Sequence, residues 1–272
     1  MIPSSLLDQA LTFSVASLPF KAFHLAADTT SMEREDFVQK VTPLLQAARL
    51  YHRHAVVGLE HVPDTGRALI VVNHSLATYD ILLLLTAIQQ EKHRQPRPLI
   101  DRLFFKIPYI GDFATLYGAV EGSQKGAEDL LNADDLVTVA PGGMREALRP
   151  STQRYQIRWT RRTGFVKLAM RTRSPLILAA CPKADDLYDV YPSHITSWIY
   201  RNFKVPVFFA RGLGPTPIPR PIQLTHFLSE PMMPPESTGD DEKDEVIARK
   251  FHRKLMARMR VLISDGIHYK SS

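Results

Sequence analysis

The feature that most constrains this chain is a series of short apolar runs, each cut off abruptly. Ala55–Leu59, Ala68–Val72, Leu136–Ala140, Leu176–Cys181 and Val205–Ala210 are rich in Val, Ile, Leu and Ala, and are bounded by Pro, Gly, Asn or charged residues. Near-continuous apolar strands of this kind fit a sheet covered on both faces better than one with a wet side. Between them the spacing becomes helical, in Tyr79–Gln90, Gln124–Leu131 and Gly164–Arg173. Such alternation predicts a single α/β domain with a central, mainly parallel mixed sheet flanked by helices. At 272 residues that domain can bury a large core. Gly214–Pro221 is too rich in proline for a helix or central strand. A further strand, Ile222–Leu228, and a helix from about Asp240 to Ser264 follow it.

The first fifty residues differ in kind. Leu6, Leu7, Leu11, Phe13, Leu18, Phe20 and Phe23 recur through a segment with few charges. It lacks the basic start and small-residue cleavage site of a secretory signal, and no run approaches the roughly 18–20 apolar residues that span a bilayer. Residues 1–50 are expected to form an amphipathic helical segment that lies on a membrane or packs on the core, with 51–272 as the α/β domain. The net charge of +6 suits anionic membranes, acidic cofactors or nucleic acid without choosing among them. Cys181 stands alone, which excludes a disulfide framework, and its apolar setting predicts a buried thiol.

The chemistry concentrates at two strand ends. After Ala68–Val72 the chain reads Asn73-His74-Ser75-Leu76-Ala77-Thr78-Tyr79-Asp80 and enters a helix. A histidine at the carboxyl end of such a strand sits at the rim where α/β proteins bind ligands. If Thr78 caps the helix, Asp80 falls in its first turn, where a carboxylate is favoured. On a continuous helix His74 and Asp80 would point about 240° apart, so they can meet only if a loop intervenes. A carboxylate accepting from one imidazole nitrogen would free the other as a base. The bland alternative is a rim histidine bonded to backbone and an aspartate serving the helix start. Asn73 either orients the His74 loop or ends the strand.

At the second strand end, Leu136–Ala140 runs into Pro141-Gly142-Gly143-Met144-Arg145-Glu146. Paired glycines let backbone approach a ligand, Arg145 offers a permanent planar charge, and Glu146 orders that turn or serves a helix start. Arg149, Arg154, Arg158, Arg161, Arg162, Lys167, Arg171 and Arg173 follow with no acidic residue among them, a patch suited to a headgroup, a nucleotide phosphate or a membrane. His52, His54 and His61 read as surface residues around a strand, Tyr79 as core, and Asp185-Asp186 as a solvated turn.

Together these residues resemble the glycerolipid acyltransferase superfamily, which includes the lysophosphatidate acyltransferases. That family shows His, four residues and Asp after a strand, then Gly-x-Ile-Phe-Ile-x-Arg, then Phe-Pro-Glu-Gly-Thr-Arg, then a proline on a later strand. His74…Asp80 matches the first block with five intervening residues, and Gly118–Gln124 occupies the second. Ala140–Arg145 occupies the third and Pro175 the fourth. Gly142 stands where the family has Glu, and Gln124 where it has the Arg associated with acceptor phosphate. The longer His–Asp spacing and Pro-Gly-Gly-x-Arg-Glu-Ala look more like the branch near diacylglycerol acyltransferases and plastid phytyl ester synthases.

The resemblance implies transfer of a fatty acyl group from an acyl thioester, on coenzyme A or acyl carrier protein, to a hydroxyl of a lipid acceptor. It implies His74 as general base and Asp80 as its partner. Asn73, Gln124, Gly142, Gly143, Arg145 and Glu146 would then contact substrate. The expected partners are donor, lipid acceptor and a membrane surface, on the cytoplasmic side and peripherally held. No cofactor, metal or nucleic acid is expected. The competing readings are a lipid esterase or thioesterase, for which no Gly-x-Ser-x-Gly elbow exists, and a non-catalytic anionic-lipid or nucleic-acid binding protein.

Overall fold

The computed structural model describes residues 34–107, 110–192 and 209–269, together with Trp198 and Asn202. Most of the N-terminal segment, the Ser271-Ser272 end and residues 205–208 of one expected strand lie outside the described residues. Nine strands are described: β1 Ala55–Val57, β2 Ala68–Val72, β3 Pro96–Ile100, β4 Val120–Glu121, β5 Leu136–Val139, β6 Leu176–Ala180, β7 Asp189–Tyr191, β8 Phe209–Arg211 and β9 Thr225–Leu228. The helices are α1 Arg34–Tyr51, α2 Tyr79–Lys92, α3 Arg102–Phe105, α4 Ile110–Leu116, α5 Gln124–Asn132, α6 Met144–Ala147, α7 Gly164–Thr172 and α8 Asp241–His268.

The main sheet has seven strands in the order β1-β9-β6-β2-β5-β3-β4, and β7 pairs with β8 in a separate two-stranded ribbon. All neighbours in the main sheet are parallel except β6 and β9. The expected mainly parallel α/β domain is therefore what forms, with β1 and β9 running against the other five strands.

The apolar runs explain the layering. β2 and β6 are buried along their whole length. Alternate residues serve opposite faces, as a pleated strand requires. Leu69, Val71, Leu176 and Leu178 pack with α5, α7 and α8, while Ile70, Val72, Ile177 and Ala179 pack with α2. Strand β3 escapes the sequence pattern because it contains Pro96 and Pro98. Its early residues pair with β5 only, and β4 joins at Leu99 and Ile100, beyond the prolines. Prolines that lack an N–H fit that one-sided stretch. No described helix is long and apolar enough to cross a membrane.

Candidate active site

Parallel strands bring their carboxyl ends to one rim, and β2, β5 and β6 deliver Asn73, Pro141 and Cys181 there side by side. Asn73 ties β2 to β6, its N–H donating to the Ala179 carbonyl at 3.3 Å and its Oδ1 accepting from the Cys181 N–H at 3.4 Å. It thus ends the strand and fixes the entry to the His74 loop. The loop then turns away from helical geometry. Ser75 is extended, Leu76–Thr78 form a 3-10 turn, and Thr78 sits at φ +56°. Thr78 makes no side-chain cap, contrary to the expectation for it. Its left-handed backbone, costly for a β-branched residue, supplies the break that a continuous helix would not allow.

His74 is nearly buried, and its neighbours assign its tautomer. Nδ1 lies 3.0 Å from the Ser75 carbonyl, which can only accept, so Nδ1 carries the proton and Nε2 keeps its lone pair. Asp80 is not the group that fixes this tautomer. Its Oδ1 accepts from the Ser75 hydroxyl, and its charge acts on the imidazole through space. Burial pushes the His74 pKa below the usual histidine value, with the Ser75 carbonyl and Asp80 opposing the drop and Arg149 reinforcing it. Burial thus favours the neutral form of the His74 imidazole.

The backbone of His74 is clamped from the β5 side. Glu146 on α6 accepts the His74 N–H at 2.9 Å through Oε2 and the Arg158 N–H at 2.8 Å through Oε1. Burial raises the Glu146 pKa, and these two N–H groups pull it back. Gly142 makes room for this carboxylate. A Cβ there would lie 2.3 Å from Glu146 Oε2. Gly143 has φ +53°, and its N–H closes the turn onto the Ala140 carbonyl at 3.0 Å.

Arg149 holds the other side of the loop. Its guanidinium donates to the His74 carbonyl at 2.6 Å and forms a bidentate pair with Asp185. Both side chains are buried, which corrects two expectations: Arg149 is not part of a headgroup patch, and Asp185 is not in a solvated turn. The sequence hid this because residues 36 positions apart meet only through the fold. Arg154 pairs with Asp186 and Asp189, and Arg171 with Glu128 and Gln124, so much of the basic run is consumed internally. Gln124 lies on the same rim against α7, and Arg145 is exposed. Breaking the Arg149–Asp185 pair leaves a buried charge without its partner. Arg149→Leu is expected to cost about 3–5 kcal/mol in urea unfolding, and a loss below about 1 kcal/mol would show that the pair is dispensable.

The histidines before β1 also depart from expectation. His52 is fully buried, with Nδ1 on the Ile222 carbonyl at 2.8 Å, and burial lowers its pKa. His54 lies between Arg49 and His226. Tyr79 and Cys181 are buried as expected, and burial raises the thiol pKa well above its usual value. Asp80, Cys181 and His226 bring one potential ligand atom each within 4.8 Å of one another.

A mainly parallel sheet presents at its rim a buried, Nδ1-protonated histidine near a carboxylate, an arrangement that can accept a proton at Nε2. The comparisons narrow the class. Residues 53–182, just under half of the chain, match the family model described as Acyltransferase. This match agrees with the resemblance to the glycerolipid acyltransferase superfamily. A mouse protein named "DGAT1/2-independent enzyme synthesizing storage lipids" is 27% identical over 228 residues, 81% of this chain and 67% of its own length. Its bovine counterpart is 28% identical over 207 residues, 74% of this chain and 60% of its own length. The chain thus spans about three-fifths to two-thirds of these relatives. The crystal structure of the 1-acyl-sn-glycerophosphate (LPA) acyltransferase PlsC from Thermotoga maritima matches with a TM-score of 0.52 at 18% identity, over 93% of this chain and 94% of that one. That likeness is one of fold.

Proposed function

We propose that the protein transfers a fatty acyl group from an acyl thioester to a hydroxyl of a lipid acceptor at a membrane surface. The observation that carries this reading is the free Nε2 of His74, fixed by the Ser75 carbonyl and flanked by Asp80. Nε2 takes the acceptor hydroxyl proton as that oxygen attacks the thioester carbonyl. The ester C–O bond forms, the C–S bond breaks, and the departing thiolate recovers the proton from the imidazolium. Asp80 stabilises that imidazolium through space.

Gln124 supports a neutral alcohol as acceptor, since the arginine linked to acceptor phosphate in the resembled family is absent there. The name of the mammalian relatives, which speaks of storage lipids, points the same way. Arg145, together with Arg158, Arg161 and Arg162 in the following loop, offers cationic groups for the phosphates of coenzyme A or of acyl carrier protein. The same charges suit peripheral contact with the cytoplasmic face of an anionic membrane.

Purified protein given acyl-coenzyme A or acyl carrier protein with monoacylglycerol, diacylglycerol, fatty alcohol and lysophospholipid acceptors tests the reading. An acylated lipid supports it and names the acceptor. Free fatty acid as the sole product would replace it with a hydrolase. The pH profile adds a signature. The base works deprotonated, so activity should fall as pH drops through the His74 pKa, which burial places below the ordinary value of 6.5. An acid limb at or above that value would contradict the buried, neutral His74.

A further inference from the structure

The reversed direction of two strands places a second pair of histidines behind the site. Because β9 runs antiparallel to β6, and β1 parallel to β9, both begin at the rim where β2 and β6 end. His54 immediately precedes β1, and His226 is the second residue of β9, in register with Val56. His226 is almost wholly buried.

Their tautomers follow from one fixed donor. Arg49 Nε can only donate, and it lies 3.2 Å from His54 Nδ1, which must accept. His54 then carries its proton on Nε2, which lies 2.9 Å from His226 Nδ1. That nitrogen accepts in turn, so His226 carries its proton on Nε2. This N–H faces Asp80 Oδ2 at 3.6 Å, longer than a hydrogen bond and well within electrostatic reach. The Ser75 hydroxyl holds the other oxygen. Among the described residues no Lys or Arg forms a salt bridge with Asp80, so His226 is the group on its far side. The His54 pKa, pushed by burial to about 2, agrees with a neutral His54 imidazole.

We propose that His226, oriented by His54 and Arg49, is a positioning residue that holds the Asp80 carboxylate beside His74. It touches no substrate and acts through Asp80. The same polarity argues against a cation among Asp80, Cys181 and His226. A metal would need the Nε2 lone pair of His226. That would reverse both imidazoles and set a His54 Nδ1–H against the Arg49 Nε–H.

Two variants and two readouts test this. His226→Leu removes the donor, whereas His226→Gln keeps an N–H near the same place. The kinetic arm rests on the acyltransfer reading. His226→Leu should lower kcat up to about a hundredfold with little change in donor KM, and His226→Gln should recover most of that loss. The second arm needs no turnover. Nitrogen-15 NMR of histidine-labelled protein should show Nε2–H tautomers for His54 and His226, and the His74 titration midpoint, which Asp80 raises and Arg149 lowers, should fall in His226→Leu but not in His226→Gln. Should the wild-type protein acylate nothing, the acyltransfer reading fails while the NMR arm still decides the positioning role. An Nδ1–H tautomer at His226, stoichiometric zinc in the purified protein, or wild-type kcat and His74 titration in a folded His226→Leu variant would overturn the proposal.

Discussion

His74→Ala is expected to lower thioester-dependent lipid acylation about 100- to 10,000-fold, the range that a well-placed general base contributes. The protein should nevertheless fold. Among the described residues the imidazole makes one hydrogen bond, Nδ1 to the Ser75 carbonyl, worth about 1 kcal/mol. The backbone contacts that shape the loop, His74 N–H to Glu146 and His74 carbonyl to Arg149, survive the substitution. A near-unchanged unfolding midpoint with lost turnover would therefore separate chemistry from architecture. Ser75→Ala is the informative companion. In the proposed mechanism Ser75 only steadies Asp80, so its loss should be much milder than that of His74. Equal losses would instead make Ser75 a nucleophile and its neighbour the base, which is hydrolase chemistry.

The fold was legible where neighbours along the chain carry the signal. Ala68–Val72 forms over the expected residues, and Leu136–Ala140 and Leu176–Cys181 form within one residue of expectation, because uninterrupted apolar runs have few alternatives to a doubly covered strand. Pro96-Arg97-Pro98 concealed β3, since prolines are tolerated there only because β4 pairs late. At the site, His74 and the Gly142-Gly143 turn stood out because each comes just after a strand, and Asp80 because it opens the next helix. Their support did not. Arg149 with Asp185, and His54 with His226, are separated by 36 and 172 residues and meet only through sheet topology. A basic run read from sequence counts charges, and the carboxylates that neutralise Arg149 and Arg154 arrive from the segment after β6.

The departure at Gly142 yields the sharpest structural prediction. Position 142 holds Glu in the resembled family, yet here a carboxylate from Glu146 fills the space a side chain at 142 would occupy. A Cβ at 142 would meet the Glu146 Oε2 at 2.3 Å and its Cβ at 2.5 Å, distances that force Glu146 to move. Gly142→Glu is thus expected to be severe. Displacing Glu146 strips an acceptor from the His74 and Arg158 N–H groups, and two orphaned donors cost about 2–6 kcal/mol together. Turnover should fall in parallel, because a 1 Å shift of a catalytic group can cost about a hundredfold. Glu146→Gly alone should be similarly damaging, having lost the acceptor outright. The combination is what decides the argument. With the whole Glu146 side chain removed, Cβ included, its clash with position 142 is gone, and a glutamate placed there can offer its carboxylate to the same two N–H groups. Gly142→Glu with Glu146→Gly should therefore be more stable and more active than either single variant, a strong non-additivity expected of residues that share one site. Thermal unfolding and acyl transfer on all four proteins close the cycle. Additive losses would mean that Glu146 serves only its own helix, and that Gly142 is glycine for the sake of the turn alone.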